Sequence, residues 1–394
     1  MKKFISIVLC VITLILATGC NYAVPQAMQY PDYTFETTPD TQQLRQTAVR
    51  AMRDALSIQW CPKKDHNYRK NGATSYKDFS LKAGTTYGGL LYTSAYSGIF
   101  QFFEYYNTEN GCLEYDGTDD ELKVQLGSSC ADTLLWAWST VCNSIEGGYY
   151  PVLMVPKNGY CIVGDYEIRA GISSYNEMPT YDIINNHDKE VILDAYAKML
   201  PADALVSTPA IHAMMVIEEP VVVYNKNGKI NPKKSYVLIQ DQRGLDQTSL
   251  KEVVDGVEIS YFGRLSAKFT FEELYEKKYI PVTAAEFIGQ KPYEQATVTV
   301  NNPECNTVDA LKDIVVESNY PLAVVNIIGL DKNGKTITEC KELFGAASMY
   351  GVPRSFNLLE IEGFKNLSKG NIRTIKVEVV VSTGERFYPI EFTV

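Results

Sequence analysis

One cysteine stands where a small polar segment gives way to an apolar, tryptophan-rich one. Cys130 follows the Gly-Ser-Ser segment 127–129 and precedes the stretch 131–138, which holds two tryptophans. The apolar side chains recur at helical spacing, at Leu134, Leu135, Trp138, Val141 and Cys142. This pattern predicts a buried helix whose first residue is Cys130. We expect Ser129 to be its N-cap, with Asp132 reaching back in a shortened capping box.

A thiol on the first turn of a helix has a chemical consequence. The unpaired N–H groups and the positive dipole end of the helix favour the thiolate, which is the nucleophilic form of cysteine. Catalysis by Cys130 is therefore one interpretation. The other is a structural cysteine, because free cysteines are among the residues most often buried.

The N-terminus has the pattern of an export signal. Lys2 and Lys3 precede an apolar segment, residues 4–15, and the small-residue segment 16–20 ends at Cys20. The apolar run is shorter than the roughly 20 residues that span a bilayer, and the segment before Cys20 resembles a bacterial lipobox. We expect a signal peptide at residues 1–20 and lipidation of Cys20. The alternative is ordinary secretion.

A proline-containing tether is predicted at residues 21–40. With the signal peptide, it implies a lipoprotein on the outer face of a bacterial membrane that contacts the bilayer only through its lipid anchor. The formal net charge is −10, and phosphate binding depends on clustered Lys and Arg, so a nucleic-acid partner is not expected. No His or Cys pair has metal-ligand spacing, so no metal or cofactor is expected.

Seven cysteines follow Cys20, and an odd number outside the cytoplasm leaves at least one free or paired between chains. They are Cys61, Cys112, Cys130, Cys142, Cys161, Cys305 and Cys340. Whether Cys305 and Cys340 pair with each other is left open, because a disulfide depends on geometry that sequence does not give.

The length of 394 residues favours two domains. The first, residues 41–292, has an α+β pattern that combines helices with an antiparallel sheet. The second, residues 293–394, has only strands and turns and is predicted to be an immunoglobulin-like β-sandwich. Its expected role is to bind a partner or to space or support the first domain. The predicted elements are helices at 41–60 and 189–200, a capping box at Thr270–Glu273, and strands at 149–155, 160–166, 211–217, 221–224 and 236–242.

The chain offers three histidines as a base for a cysteine nucleophile. His66 and His187 have polar neighbours and are predicted to be solvated. His212 is the one polar residue of an apolar strand, where its pKa can lie near neutrality, so it is the candidate general base. The alternative for His212 is a core histidine bound to a backbone carbonyl.

A third residue should orient the imidazole. Gln240, Asp241 and Gln242 all end the strand 236–242, and alternation places Asp241 on the face opposite to the two glutamines. We choose Asp241 because a carboxylate stabilises an imidazolium ion. Gln240 and Gln242 remain alternatives, and Gln240 is also a candidate substrate-binding residue.

The order of helix-borne Cys, strand-borne His and polar residue resembles the NlpC-type cell-wall cysteine peptidases and the related CHAP amidases. Three segments carry this resemblance, and they are Tyr87-Gly88-Gly89, Ser129-Cys130-Ala131 and Asp203-Ala204-Leu205. The resemblance implies a papain-like catalytic domain that hydrolyses amides of cell-wall peptides, with Tyr87 and Ser129 binding substrate. The family usually has Asp where this chain has Ser129, and a shorter gap after the Tyr motif, so selection of a free stem-peptide amine is not implied.

Two other functions stay open. A papain-like enzyme can act on an ester or lipid, and a surface lipoprotein can bind a glycan or protein partner without catalysis. Tyr87, Tyr92 and Tyr96 would suit such binding, because tyrosine gives a large, rigid contact area.

Overall fold

The structure is a computed structural model that describes residues 27–68, 79–93, 98–117, 126–145, 150–244, 251–344, 352–368 and 371–394. It is an α+β protein with mostly sheet and few helices. Cys20 and Tyr96 lie outside the described residues.

Within the described residues, the α-helices are α1 (Thr41–Ser57), α2 (Ile99–Phe103), α3 (Cys130–Ser139), α4 (Thr180–Asn185), α5 (Lys189–Ala197) and α6 (Phe271–Glu276). The strands up to residue 292 are β1 (Gln59–Pro62), β2 (His66–Tyr68), β3 (Phe79–Leu81), β4 (Tyr87–Gly88), β5 (Tyr106–Asn107), β6 (Cys112–Leu113), β7 (Tyr160–Ile162), β8 (Ala204–Ser207), β9 (His212–Val216), β10 (Tyr236–Gln242), β11 (Lys251–Val254), β12 (Val257–Tyr261), β13 (Gly263–Thr270) and β14 (Ile280–Ala284). The later strands are β15 (Val298–Val300), β16 (Val315–Ser318), β17 (Leu322–Leu330), β18 (Thr336–Leu343), β19 (Ser355–Asn357), β20 (Thr374–Val381) and β21 (Arg386–Thr393).

Two six-stranded sheets lie before residue 293. One has the order β11-β12-β4-β1-β6-β5, and the other, here called the central sheet, has the order β13-β10-β9-β8-β14-β7. All neighbours in the central sheet are antiparallel. The later strands form a three-stranded sheet, β15-β16-β19, and a four-stranded sheet, β18-β17-β20-β21.

The meander predicted for residues 211–242 is only partly formed. β9 pairs directly with β10, so no position remains between them for a third strand. Residues 221–224 make isolated bridges instead, Val221 with Tyr236 and Tyr224 with Ile230. Val221 and Tyr224 are exposed, so this segment lacks the buried face that would hold it in a sheet.

Helix α1 begins where its sequence predicts and ends earlier. Asp40 is the N-cap and accepts a 2.8 Å hydrogen bond from the Gln43 N–H, while Gln43 Oε1 accepts one of 2.9 Å from the Asp40 N–H. The helix ends at Ser57, and Trp60 belongs to β1, where its indole N–H donates to the Gly89 carbonyl. The extended strand after Ser57 therefore removes Trp60 from the predicted helix.

Other elements differ in extent from their predicted ranges. The described residues of the predicted strand 149–155, which are 150–155, do not form a strand, since Pro151–Leu153 is a single 3₁₀ turn that begins at a residue without an N–H for a sheet ladder. The strand at 160–166 is shortened to β7. Thr270 does cap α6, with Glu273 completing the predicted capping box.

The buried apolar residues form two large clusters and a small third one at Ile259 and Tyr261. The largest extends from Tyr33 to Phe287 and includes Ala323, Val324 and Val380 of later strands, and the second largest lies within residues 296–392. Polar contacts join the two parts of the chain, because Ser382 Oγ donates to the Ser139 carbonyl and Arg354 Nη2 to the Asn143 carbonyl. The end of α3 and the residues just after it are therefore held by turns and bends of the C-terminal part.

No described helix combines the length and the hydropathy that a bilayer-spanning segment requires.

Candidate active site

Cys130 is the first residue of α3, where the sequence places it. Ser129 is the N-cap in extended conformation, and its carbonyl accepts hydrogen bonds from the N–H and the hydroxyl of Thr133, at 3.0 and 2.9 Å. The helix packs against α1 and against β9 and β10 of the central sheet. These contacts fix the thiol beside the beginning of β9.

His212 opens β9 and Asp241 lies near the end of the adjacent strand β10. His212 Nε2 is 2.6 Å from Asp241 Oδ2. Cys130 lies within interaction range of the imidazole, so that each side chain shifts the pKa of the other. Because Nε2 is bound to Asp241, Nδ1 is the ring nitrogen left for the sulfur. The three residues singled out from the sequence are therefore adjacent, in the order thiol, imidazole, carboxylate.

The charges at this site favour an ion pair between thiolate and imidazolium. Burial by itself would raise the pKa of the Cys130 thiol, but the charge and hydrogen bond of His212, aided by the N–H groups of Ala213 and Ala131, hold that pKa below its ordinary value. Burial would lower the pKa of His212, but the Cys130 thiolate and Asp241 raise it to about 9. The two shifts therefore favour the thiolate as nucleophile and keep a proton on the imidazole near neutral pH.

Arg264 is a fourth member of the site that the sequence analysis missed. It lies directly opposite Asp241 in the register between β10 and β13, and its Nε and Nη2 each donate a 2.7 Å hydrogen bond to the carboxylate. Burial would raise the pKa of Asp241, but His212 and Arg264 hold it below its ordinary value. Alternating polar and apolar residues at 263–267 could have indicated a strand, but only strand pairing identifies its partner.

The site reaches the surface at His212 and Arg264. Cys130 is 3% exposed, whereas the side chains of His212 and Arg264 are 17% and 20% exposed. Ile211 precedes His212 and is 54% exposed, and its carbonyl oxygen is 4.0 Å from Cys130 Sγ. His212 and Ile211 therefore lie next to the buried sulfur and are themselves partly exposed.

Ile211 has an unusual backbone conformation. Its φ of 48° lies in the left-handed region, which is strained for a β-branched residue. It is the last residue of the four-residue turn between β8 and β9, whose end residues Ser207 and His212 pair with each other. The chain therefore holds an exposed isoleucine beside the thiol at a position that glycine would occupy more easily.

Asp132 is a second buried carboxyl group beside Cys130. Its Oδ2 accepts hydrogen bonds from the Ser129 hydroxyl and, at 3.3 Å, from the Ser129 N–H, while its Oδ1 has no partner. Burial, only partly offset by Ser129, raises the pKa of Asp132 well above its ordinary value, and the nearby Cys130 adds to this. Ser129 is thus bound within its own helix turn, which differs from its predicted role in substrate binding.

Tyr87, the other substrate-binding residue implied by the resemblance, is placed differently from that expectation. Its ring packs on Trp60 and Phe262, and its hydroxyl accepts a 2.9 Å hydrogen bond from the Lys82 N–H. Among the described residues, no hydrogen bond or ring contact links Tyr87 to Cys130, His212 or Asp241.

The glutamines beside Asp241 face away from His212, as strand alternation predicts. Gln240 Nε2 donates to the Val49 carbonyl of α1, and Gln242 Nε2 donates to the Leu90 carbonyl. Both side chains are fully buried. Asp241, rather than either glutamine, is therefore the residue in contact with the imidazole, and Gln240 does not border the approach to the thiol.

The turn before β8 is anchored by a buried ion pair. Arg45 Nη1 of α1 donates a 2.7 Å hydrogen bond to Asp203 Oδ1, and the same guanidinium donates to the Pro201 and Phe287 carbonyls. Asp203 also begins Asp203-Ala204-Leu205, one of the three segments named in the sequence analysis. Its contact with α1 ties β8, and through β8 the His212 strand, to the first helix.

The remaining histidines belong to other elements: His66 begins β2 and His187 follows α4. His66 was predicted to be solvated, but it is only 1% exposed, so that prediction is wrong. His187 is half-buried, with Nδ1 2.6 Å from the Ile183 carbonyl and Nε2 accepting from the Glu167 N–H. A search of the described residues for three or more clustered His, Cys, Asp or Glu side chains that could hold a metal ion found none.

Comparisons with known proteins gave no match, whether to protein-family models, to curated proteins or to solved structures.

Proposed function

We propose that this protein is a cysteine-dependent amide hydrolase, a peptidase or amidase, that acts on cell-wall peptides. The observation that carries the proposal is the chain of contacts from Cys130 at a helix N-terminus through His212 to Asp241. A cysteine with a purely structural role would not require a neighbouring histidine with a raised pKa, or a carboxylate that holds that histidine in place. The cell-wall substrate rests on the resemblance to NlpC-type peptidases alone.

The proposed reaction transfers the acyl group of the substrate twice, first to Cys130 Sγ and then to water. Cys130 Sγ attacks the amide carbonyl carbon, and His212 gives its proton to the leaving nitrogen as the C–N bond breaks. This leaves a thioester on Cys130. Water then attacks the thioester while His212 takes up its proton, which releases the acid and restores the thiolate. Backbone N–H groups at the start of α3 would stabilise the oxyanion.

The papain-like and immunoglobulin-like assignments belong to the same proposal. A helix that carries Cys130 packs on an antiparallel sheet that carries His212 and Asp241, and this supports a papain-like catalytic domain at 41–292. Three- and four-stranded sheets after residue 293 support a β-sandwich at 293–394. The sequence pattern supports a lipid anchor at Cys20. If Cys20 carries the anchor, a Cys20→Ser variant should be released from the membrane fraction.

A Cys130→Ala variant tests the proposed activity. We expect complete loss of hydrolysis of muropeptides and peptide amides, with little change in the melting temperature, because a small buried side chain is replaced by a slightly smaller one. Cys161→Ser is the matched control, since Cys161 is a half-buried thiol in β7 whose Sγ contacts Gln290, and its activity should be unchanged. Equal turnover by wild type and Cys130→Ala would disprove the proposal.

Two alternatives have their own tests. An ester or lipid substrate would be attacked by the same thiol, so parallel assays with matched amide and ester substrates distinguish an amide hydrolase from an esterase.

A binding function for the C-terminal part is favoured by a cavity of about 620 Å³ lined by Val308, Leu359, Ile361 and Phe364 with Asp309 and Lys312. This binding function would be favoured if Cys130→Ala bound a glycan or peptide and the wild-type protein showed no hydrolysis.

A further inference from the structure

Two cysteines outside the candidate active site face each other across neighbouring strands. β1 and β6 are parallel, and Cys61 pairs directly with Cys112 in their register. The two Sγ atoms are 3.2 Å apart, and both residues are half-buried. Adjacent strands lie about 4.8 Å apart, which falls within the Cα separations that disulfides span.

The geometry points to a disulfide between Cys61 and Cys112 that forms when the protein meets an oxidising environment, and this inference does not depend on the proposed activity. Closing the bond requires the sulfurs to approach by about 1 Å, to the usual length near 2.05 Å. Rotation of the two side chains can supply such a shift without moving either strand.

The other described thiols lack such a partner. The sulfurs of Cys161, Cys305 and Cys340 contact oxygens of Gln290, Thr307 and Gly363. We therefore expect oxidation to join Cys61 to Cys112 and to leave Cys130 as a free thiol.

The reaction is a thiol–disulfide exchange with an acceptor disulfide, either an exported oxidoreductase or, in the test tube, oxidised glutathione. Burial and the adjacent Cys112 raise the pKa of Cys61 to about 12, so we expect Cys112 to attack the acceptor first. This forms a mixed disulfide and releases one acceptor thiol. Cys61 then displaces the second acceptor thiol, so the pair loses two protons and two electrons and the acceptor gains them.

The bond would link residues that are 51 positions apart. A cross-link of this kind stabilises the folded state mainly by restricting the unfolded chain. It would fasten β6 to β1, the strand that follows α1.

Peptide mapping of the purified protein after incubation with oxidised glutathione tests the inference. Free thiols are blocked with N-ethylmaleimide under denaturing conditions. We expect a linked peptide that contains Cys61 and Cys112, and a melting temperature several degrees above that of the reduced protein. Cys112→Ser should abolish both effects, and Cys161→Ser should abolish neither.

Recovery of Cys61 and Cys112 as two maleimide adducts after complete incubation would overturn the inference, as would linkage of Cys61 to a different cysteine. Because mapping is done on the wild-type chain, a poorly folded variant would leave the result intact. Loss of hydrolysis in Cys130→Ala is measured separately, so failure of one proposal leaves the other unaffected.

Discussion

Asp241 and Arg264 are cross-strand partners whose side chains meet in two parallel hydrogen bonds of 2.7 Å. The guanidinium fixes the carboxylate in the plane in which it contacts His212, 2.6 Å away. Bidentate pairs of this kind restrict orientation more than a single hydrogen bond does. The imidazole beside Cys130 is therefore positioned by a residue that is itself held in place.

Asp241→Asn should lower turnover by on the order of 10³-fold or more, by analogy with loss of the orienting carboxylate in other triads. Without that negative charge, the pKa of His212 should fall below its wild-type value of about 9 and the pKa of Cys130 should rise. The thiolate–imidazolium pair would then exist over a narrower pH range. The pH dependence of thiolate absorbance at 240 nm measures this, with Cys130→Ala as the blank, and an unchanged profile would contradict the role of Asp241.

Arg264→Lys keeps a positive charge but cannot supply the planar pair of donors. We expect turnover to fall by about 10- to 100-fold, the range typical for loss of an outer residue that orients a reactive group. Arg264→Gln should also raise the pKa of His212, because removing a nearby cation favours the imidazolium. NMR titration of His212 in both variants checks this. A purely structural role would change stability without moving that titration.

Asp132→Asn should increase the free energy of unfolding at pH 7. The pKa of Asp132 in the folded state lies well above its unfolded value near 3.9, so its contribution to stability is present below that pH and is lost as the pH rises. Asparagine is isosteric and cannot ionise. Urea unfolding should show a higher free energy of unfolding for Asp132→Asn than for wild type at pH 7, and no difference at pH 3.5. An equal difference at both pH values would rule out ionisation of Asp132 as the cause.

Ile211→Gly should stabilise the protein by about 1 kcal/mol, because glycine adopts a positive φ without the steric cost that isoleucine incurs. Val253→Gly is the matched control, since Val253 is also exposed but lies in the extended strand β11, where glycine should destabilise. If the Ile211 side chain contacts substrate, the variant should show a raised KM despite its greater stability. Thermal unfolding and steady-state kinetics of both variants measure the two effects, and destabilisation by Ile211→Gly would show that the strain is absent.

Several features followed from the sequence because they depend on neighbours along the chain. Helical spacing and the Ser129 cap located the start of α3, and the capping box at Thr270 likewise marked the start of α6. Polarity within an apolar strand singled out His212, and strand alternation separated Asp241 from Gln240. Each inference needed only local geometry, namely periods of 3.6 or 2 residues and the unpaired N–H groups of a helix end.

Tertiary structure decided the rest, because strand pairing and register bring together residues that are distant in sequence. No local pattern indicates that Arg264 lies opposite Asp241, that Cys61 faces Cys112, or that His66 is buried. The adjacency of Cys130 and His212 is also a result of folding, since it requires α3 to pack against the start of β9. Hydrogen bonding between strands and the packing of apolar faces act across the whole chain, and they alone determine which of the candidate side chains meet.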